Sequence, residues 1–296
     1  MTWPPAGKDS PLPSRFVSLT RTGHELPPQG LTVSPYQDSA ATQGRNLPKP
    51  QSPRNAMPFT RIDMDTWKRR ELFRHFTEVA PCSFSMTANL DITRFRATQK
   101  ANGLKLYPML ICLIAGAVNT MPEFRTAYRE SGELVIHDIL HPSYTVFDKE
   151  SELFSAIWTE FDGNRNAMYE AVLDDMARYG GTRRYCPKPD PPENLFNISA
   201  IPWTSFTGFN LNLPRAEKYL LPIFTMGKFF EQGASVQLPL AIQAHHAVCD
   251  GFHASRLLEQ LQDLLDRGMR DGRYSTSDDL YLGDGEGHTH CLASRK

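Results

Sequence analysis

A histidine and an aspartate at fixed spacing are the residues of this chain best suited to chemistry. His246 lies four residues before Asp250, and Gly251 follows directly. Imidazole is the usual general base near neutral pH, so a histidine here would suit proton removal from a substrate. Residues 236–246 carry an apolar side chain at every second position, which predicts a strand with one buried face. That register places His246 on the apolar face and His245 on the other, so His246 is the candidate base.

Three interpretations of His246 stay open on these residues alone. The first is a hydrogen-bonded core histidine without chemical function, the ordinary state of a buried histidine. The second is a metal site with Asp250 and His253, whose spacing would align the three side chains on a helix. The predicted strand and the following Gly251 oppose that alignment, so no metal is expected. The third is a general base.

An arginine on an apolar helix face suggests a partner for Asp250. Asp65 is the predicted N-cap of a helix over Thr66–Thr77. Arg69 lies on the face of this helix that carries three apolar residues, Leu72, Phe73 and Phe76. Its stem could extend to solvent, or its guanidinium could pair with a buried carboxylate. Paired with Arg69, Asp250 would brace the loop rather than accept a proton, and breaking such a buried pair costs roughly 3–5 kcal/mol.

The composition indicates a globular protein and argues against several classes of partner. The net charge is −1 at a sequence pI of about 6.8, so no nucleic-acid partner is expected. The apolar stretches are too short to cross a bilayer and none follows Met1 as a secretory signal would, so no membrane partner is expected. Five scattered cysteines without a Cys-x-x-Cys pair indicate no structural zinc and a reducing, cytoplasmic location.

The chain is predicted to have three regions. Residues 1–56 hold ten of the 23 prolines and show no periodicity, which predicts a disordered proline-rich extension. A basic excess there leaves a transit-like leader as the alternative to an extension without function. Residues 57–268 form the predicted folded domain. Residues 269–296 are rich in Gly, Ser and Asp and are predicted to be a flexible tail.

Strands and helices mix within residues 57–268 without strict alternation. Strand patterns occur at 59–62, 84–90, 134–136, 144–147, 153–158, 197–203, 206–213, 223–230 and 236–246. Helical patterns occur at 91–101, 107–120, 166–179 and from Gly251 onward. This mixture predicts an α+β fold, a two-layer α/β sandwich with a mixed β-sheet. No glycine-rich phosphate loop is present in the sequence.

Several longer motifs occur together and in a fixed order. They are Trp67–Glu71, Cys82–Ser85, Tyr107-Pro108, Thr145–Phe147, Phe154–Ala156, Asn197–Ala200 with Pro202-Trp203, Phe209–Asn212 and His245–His253. Together they resemble chloramphenicol acetyltransferase of the trimeric type, a coenzyme-A-dependent acyltransferase. A bare His-x-x-x-Asp-Gly is shared with related acyltransferases, whereas the long form with Asn-Ile-Ser-Ala is specific. The resemblance covers residues 57 to about 268.

The resemblance implies an activity, partners and an assembly. The family transfers the acetyl group of acetyl-CoA to the 3-hydroxyl of chloramphenicol in a ternary complex and so inactivates the antibiotic. Acetyl-CoA is then a co-substrate, and no permanently bound cofactor is expected. The resemblance also implies a homotrimer whose active sites lie between subunits.

The resemblance also implies roles for individual residues. His246 matches the catalytic base, Ser199 the donor to the oxyanion, and Thr225 a threonine that holds a water. Arg69 matches the partner of Asp250. The antibiotic pocket would be lined by Phe76, Phe84, Phe154, Asn197, Phe209, Leu211 and Tyr219. The coenzyme would be contacted by Lys105, Tyr107 and Trp203.

Two other functions share part of this pattern. An acyltransferase of the 2-oxo acid dehydrogenase complexes also has His-x-x-x-Asp-Gly, but residues 1–56 are too short and proline-rich for its lipoyl and tethering domains. A relative that binds hydrophobic ligands without turnover would not need His246, Ser199 and the Arg69–Asp250 pair. Ser143 is a departure from the pattern, since a longer glutamine lines the pocket at that position in the family.

Overall fold

A seven-stranded mixed sheet organises the computed structural model, which describes residues 58–213 and 218–267. The predictions for residues 1–56 and 269–296 lie outside the described residues. All of the described residues belong to one compact unit. No helix among them is both long enough and apolar enough to span a membrane.

The elements follow one another as strands interrupted by helices. The strands are β1 Phe59–Arg61, β2 Ser83–Asp91, β3 Thr126–Tyr128, β4 Leu134–His137, β5 His141–Asp148, β6 Leu153–Trp158, β7 Leu195–Ile201, β8 Ile223–Gly227, β9 Phe230–Gln232 and β10 Ser235–His245. The helices are α1 Arg70–Arg74, which continues into a π-helical turn His75–Val79, α2 Thr93–Ala101, α3 Leu106–Asn119, α4 Arg165–Tyr179 and α5 Gly251–Arg267. A 3₁₀ turn, Pro122–Arg125, precedes β3.

Parallel and antiparallel pairings combine in the large sheet. Its order is β2-β10-β8-β7-β5-β6, and β9 pairs with β10. The contacts of β7 with β5 and β8 are parallel, whereas β10 is antiparallel to β2 and β8. The strands β1, β4 and β3 form a second, small antiparallel sheet. The predicted α+β sandwich with a mixed sheet is therefore confirmed.

The helices supply the second layer because each presents apolar residues to the sheet. α3 is apolar almost all round and its residues from Pro108 to Asn119 are buried, as expected for a helix between other elements. α5 is amphipathic and buries Leu257, Leu261 and Leu265, which recur at the spacing of one helix face. Contacts of α3 with β5 and of α5 with β2 place both helices against the large sheet.

The predicted helix over Thr66–Thr77 was wrong at its start. The Asp63 carboxylate accepts hydrogen bonds from the Asp65 amide and the Thr66 hydroxyl, which holds these residues in a turn. Asp65 therefore is not a cap, and the helix begins only at Arg70. A local side-chain-to-backbone bond has replaced the first helical turn.

The predicted strands at 206–213 and 223–230 were also wrong in part. Residues 206–213 form no strand, and 223–230 divides into β8 and the start of β9. The side-chain amide of Gln243 takes the place of a neighbouring strand, since it donates to the Leu211 carbonyl oxygen at 2.9 Å and accepts from the Leu211 amide at 2.7 Å. Alternation alone does not reveal such a substitution, because it reports burial and not the hydrogen-bond partner.

Candidate active site

His246 lies one residue past the end of β10 and is held between aromatic rings. Its amide donates to the Cys82 carbonyl oxygen at 3.0 Å, which extends the pairing with β2 by one residue. Its ring stacks on Phe76 with centroids 4.0 Å apart and planes 5° apart. Phe84 meets the same ring edge-on at 5.5 Å. The contacts fix the plane of the imidazole, and its Nδ1 atom has no hydrogen-bond partner among the described residues.

His245 has a different environment from its neighbour. It is almost fully buried, and its Nδ1 accepts the Ala247 amide at 3.1 Å, so it shapes the turn that follows the strand. The second half of β10 is buried on both faces, and Gln243, on the face that the sequence predicted to be polar, is hydrogen-bonded to Leu211. The half-buried His246 is thus the histidine of the pair that remains accessible.

Arg69 holds this turn through three separate acceptors. Its Nε donates to the Ala247 carbonyl oxygen at 2.8 Å, and one terminal nitrogen donates to the His246 carbonyl oxygen at 2.9 Å. The other donates to Asp250 Oδ2 at 3.0 Å, so the predicted contact between Arg69 and Asp250 is present. One guanidinium therefore fixes the backbone on both sides of the candidate base.

The charge of Asp250 is stabilised by its neighbours. Burial opposes ionisation, but the hydrogen bond from Arg69 and the charges of His253 and Arg69 outweigh it and hold the pKa of Asp250 below its ordinary value. His253 Nδ1 lies 2.9 Å from Asp250 Oδ1, and its Nε2 lies 3.4 Å from Glu123. Within 58–213 and 218–267, no three His, Cys, Asp or Glu side chains are grouped to hold a metal ion.

Ser199 and Thr225 meet on adjacent parallel strands. They are direct neighbours in the pairing of β7 with β8, and their hydroxyl oxygens are 3.0 Å apart. Thr225 in turn is opposite Ala241 of β10. Ser199, Thr225 and Ala241 therefore form one row across three strands of the sheet.

A cavity of about 490 Å³ opens beside Ser199. It contains five of the predicted antibiotic contacts, Phe154, Asn197, Phe209, Leu211 and Tyr219, and Ser143 also lines it. Asn197 donates to the Tyr219 hydroxyl at 2.6 Å, and burial raises the pKa of Tyr219 to about 12. The hydroxyl therefore stays protonated at neutral pH and offers the cavity a neutral hydrogen-bonding group.

Phe76 and Phe84 are not part of this cavity. They contact His246 instead, so the seven predicted antibiotic contacts fall into two separate groups on one chain. An aromatic side chain suits both the cavity wall and a contact with the His246 ring, so the sequence alone does not assign Phe76 and Phe84 to one of these places.

A second cavity, of about 300 Å³, adjoins the first. The two share part of their walls, since Thr145, Phe147, Ala200 and Trp203 line both. Two predicted coenzyme contacts, Tyr107 and Trp203, line the smaller cavity, whereas Lys105 is outside its lining. Its walls are mostly apolar, and Lys228 is its one charged lining residue. Lys228 was not predicted. Its position directly after the buried strand β8 is the sequence feature that could have indicated Lys228.

His246 and Ser199 of one chain are far apart. His246 follows Ala241 by five residues, so it lies roughly 17 Å along the strand from the Ser199–Thr225–Ala241 row, at about 3.4 Å per residue. Ser199 is two strands away from Ala241, or about 10 Å across the sheet. His246 also contributes to neither cavity. The described residues therefore separate the candidate base, His246, from the cavity that contains Ser199.

The family model and the curated relatives agree on one family. The family model for chloramphenicol acetyltransferase matches residues 57–262. A chloramphenicol acetyltransferase of Campylobacter coli is 48% identical over 211 residues, which cover 71% of this chain and 100% of the relative. One of Clostridium perfringens is 47% identical over 209 residues, which cover 71% of this chain and 99% of the relative. A solved structure of a chloramphenicol acetyltransferase is similar in fold, with a TM-score of 0.63 at 22% identity, covering 70% of this chain and 100% of that one.

Proposed function

The chain belongs to the chloramphenicol acetyltransferase family and is an acyltransferase, and on this basis we propose that it moves the acetyl group of acetyl-CoA to the 3-hydroxyl of chloramphenicol. The observation that supports the proposed mechanism is the separation of His246 from the Ser199 cavity. A base and an oxyanion donor must lie within hydrogen-bond reach of the same reacting group. One chain does not meet this requirement, so the complete site forms where His246 of one subunit faces the cavity of another, in a homotrimer.

The two adjoining cavities suit two substrates that react directly. The larger cavity, with Asn197 and Tyr219 as polar groups and Phe154 as an aromatic wall, takes the antibiotic. The smaller apolar cavity takes the arm of acetyl-CoA. The cavities share a wall at Ala200 and Trp203, close in sequence to Ser199, which supports a thioester bound beside Ser199. Positioning of both substrates would then supply much of the rate enhancement.

The transfer then needs one base and one oxyanion donor. His246 takes the proton of the antibiotic hydroxyl as its oxygen attacks the thioester carbonyl carbon. Ser199 donates a hydrogen bond to the resulting oxyanion, and Thr225 holds a water beside it. When the tetrahedral intermediate collapses, the C–S bond breaks and the coenzyme thiolate takes the proton back from His246. General base catalysis typically contributes about 10²–10⁴-fold, and one oxyanion donor about 2.7–4 kcal/mol.

The fixed ring of His246 suits this role. Stacking on Phe76 and the Arg69 bonds to its backbone orient the imidazole without a carboxylate on its nitrogens. Asp250, engaged by Arg69, acts on the loop and not on the proton. The free thiols of Cys82, Cys112, Cys186 and Cys249 support a reducing, cytoplasmic location.

A coupled assay tests the activity. Purified protein is mixed with acetyl-CoA and chloramphenicol, and the release of thiol is followed. We expect thiol release that depends on the antibiotic. We expect no release when 3-O-acetylchloramphenicol, which has no free 3-hydroxyl, replaces chloramphenicol. Folded trimer that releases no thiol above the antibiotic-free background would overturn the proposed function.

A further inference from the structure

A lysine and an arginine are both associated with the wall of the smaller cavity. Lys228 is the one charged residue in the described lining of this cavity, and Phe229 lies next to it. The guanidinium carbon of Arg96, on α2, is 4.0 Å from the centre of the Phe229 ring. The cation therefore rests on an aromatic residue that itself forms part of the cavity wall.

Arg96 has no acceptor of its own within the part of the chain that the structure describes. Other arginines here are engaged: Arg69 donates to three oxygens and Arg129 to Glu193. Stacking uses only the face of the guanidinium, so the in-plane N–H donors of Arg96 remain available. A planar set of N–H donors suits a phosphate group, and Lys228, which precedes Phe229 in the chain, adds a second positive charge at the wall of the same cavity.

The surroundings favour an anion. The charged side chains of α2 are Arg94, Arg96 and Lys100, so the helix carries three basic groups and no acidic one. Lys105 follows in the link to α3, whose first residues line the cavity. Such a concentration of positive charge also raises the local concentration of an anionic ligand.

We propose that Arg96 is a binding residue for a phosphate group of the acyl donor, acting with Lys228. This inference rests on the proposed function, in which coenzyme A is the carrier of the acetyl group. Coenzyme A is thioester-linked at one end and phosphorylated at the other. With the thioester beside Ser199, its arm passes the apolar walls of the smaller cavity and its phosphorylated end reaches Lys228 and Arg96.

The test compares Arg96→Ala with Arg94→Ala, which removes an exposed arginine two residues away on the same helix. Steady-state kinetics are measured with acetyl-CoA, its 3′-dephospho form and the phosphate-free acetylpantetheine. We expect Arg96→Ala to raise the KM for acetyl-CoA about tenfold, as for loss of a charge-assisted hydrogen bond. The KM for acetylpantetheine, the KM for chloramphenicol and kcat stay unchanged, and Arg96→Lys restores part of the loss.

The arms of the test separate the possible sources of an effect. If Arg96→Ala raises the KM for acetyl-CoA but not the KM for its 3′-dephospho form, Arg96 binds the 3′-phosphate. If it raises the KM for both, Arg96 binds the diphosphate. An equal increase with acetylpantetheine would mean that Arg96 only packs on Phe229, and the proposal would fail. Equal behaviour of Arg96→Ala and Arg94→Ala would also overturn it.

Calorimetric titration with coenzyme A and its dephospho form keeps the two proposals apart. This measurement needs no antibiotic and no turnover. If the protein fails to acetylate chloramphenicol but binds coenzyme A about tenfold more weakly after Arg96→Ala, the proposed function fails and the phosphate site stands. If unmodified protein does not bind coenzyme A, the phosphate site fails as well.

Discussion

At the scale of single residues, the site separates the tasks of holding a group and reacting through it. Arg69, Asp250 and His245 use their polar atoms within the turn that follows β10. His246 is held by its backbone and by the face of its ring, and no hydrogen bond from the described residues engages its Nδ1 atom. Two adjacent histidines with the same chemistry therefore differ only because of what surrounds them.

The Arg69–Asp250 pair should contribute stability that depends on pH. We expect Arg69→Ala to lower the free energy of unfolding by about 3 kcal/mol, the lower end for a buried pair because the Asp250 side chain is 30% exposed. The double variant Arg69→Ala/Asp250→Ala should lose less free energy of unfolding than the sum of the two single variants. In the double variant, no charged side chain is left without its partner. Denaturant unfolding of the four proteins at neutral pH measures this coupling.

The sign of the pH effect follows from the lowered pKa of Asp250. A carboxyl group whose pKa is lower in the folded state stabilises the fold above its unfolded pKa of about 3.9. The stabilisation is lost as the pH falls through the lower, folded value. The difference in free energy of unfolding between the unmodified protein and Asp250→Ala should therefore become smaller below about pH 4. A gap that stayed constant with acidification would show that the carboxylate charge does not matter.

At the scale of secondary-structure elements, one side chain replaces a strand. Residues 206–213 line the larger cavity through Phe209 and Leu211, yet they have no strand partner. The buried amide of Gln243 joins this segment to β10 through both backbone groups of Leu211. The cavity wall is thus positioned by one residue of a central strand.

Gln243→Ala should therefore weaken binding of the antibiotic more than catalysis. We expect the KM for chloramphenicol to rise roughly 30-fold, since two neutral hydrogen bonds of about 1 kcal/mol each are lost and about 1.4 kcal/mol corresponds to a factor of ten. The KM for acetyl-CoA should stay constant because the smaller cavity does not contain Leu211. Gln237→Ala, earlier on the same strand, is the control. Equal increases in both KM values would point to a general loss of structure instead.

The sequence predicts those features that depend on local pattern. The mixed sheet, the bounds of β6 and the buried α3 follow from period and composition. The Arg69–Asp250 contact was one of two alternatives predicted for Arg69, and it is present although the predicted start of the helix was wrong. Gln243 and Lys228 were missed because their partners are distant in sequence or absent from the chain.

At the scale of the whole molecule, the proposed mechanism requires an assembly, because His246 and Ser199 of one chain are far apart. The rows of β10, β8 and β7 fix this distance, and no side-chain rotation closes roughly 20 Å. In the proposed mechanism, a monomer would have no base at the reacting hydroxyl. Activity should therefore belong to the interface and not to the subunit.

Mixed oligomers of two inactive variants test this directly. His246→Ala and Ser199→Ala are each expected to lose most turnover, with the larger loss for His246→Ala. When the two are unfolded together and reassembled, some interfaces combine an intact His246 from one subunit with an intact Ser199 from its neighbour. Random pairing at equal amounts restores about a quarter of the sites in a cyclic oligomer.

Each variant reassembled alone is the control for this experiment and should stay inactive. The mixture should recover activity only after reassembly, and not when the two folded oligomers are simply combined. If both groups acted within one subunit, no mixture would contain an intact site and activity would not return. Recovery therefore distinguishes an interfacial site from an intramolecular one, because it depends on which subunit supplies each group.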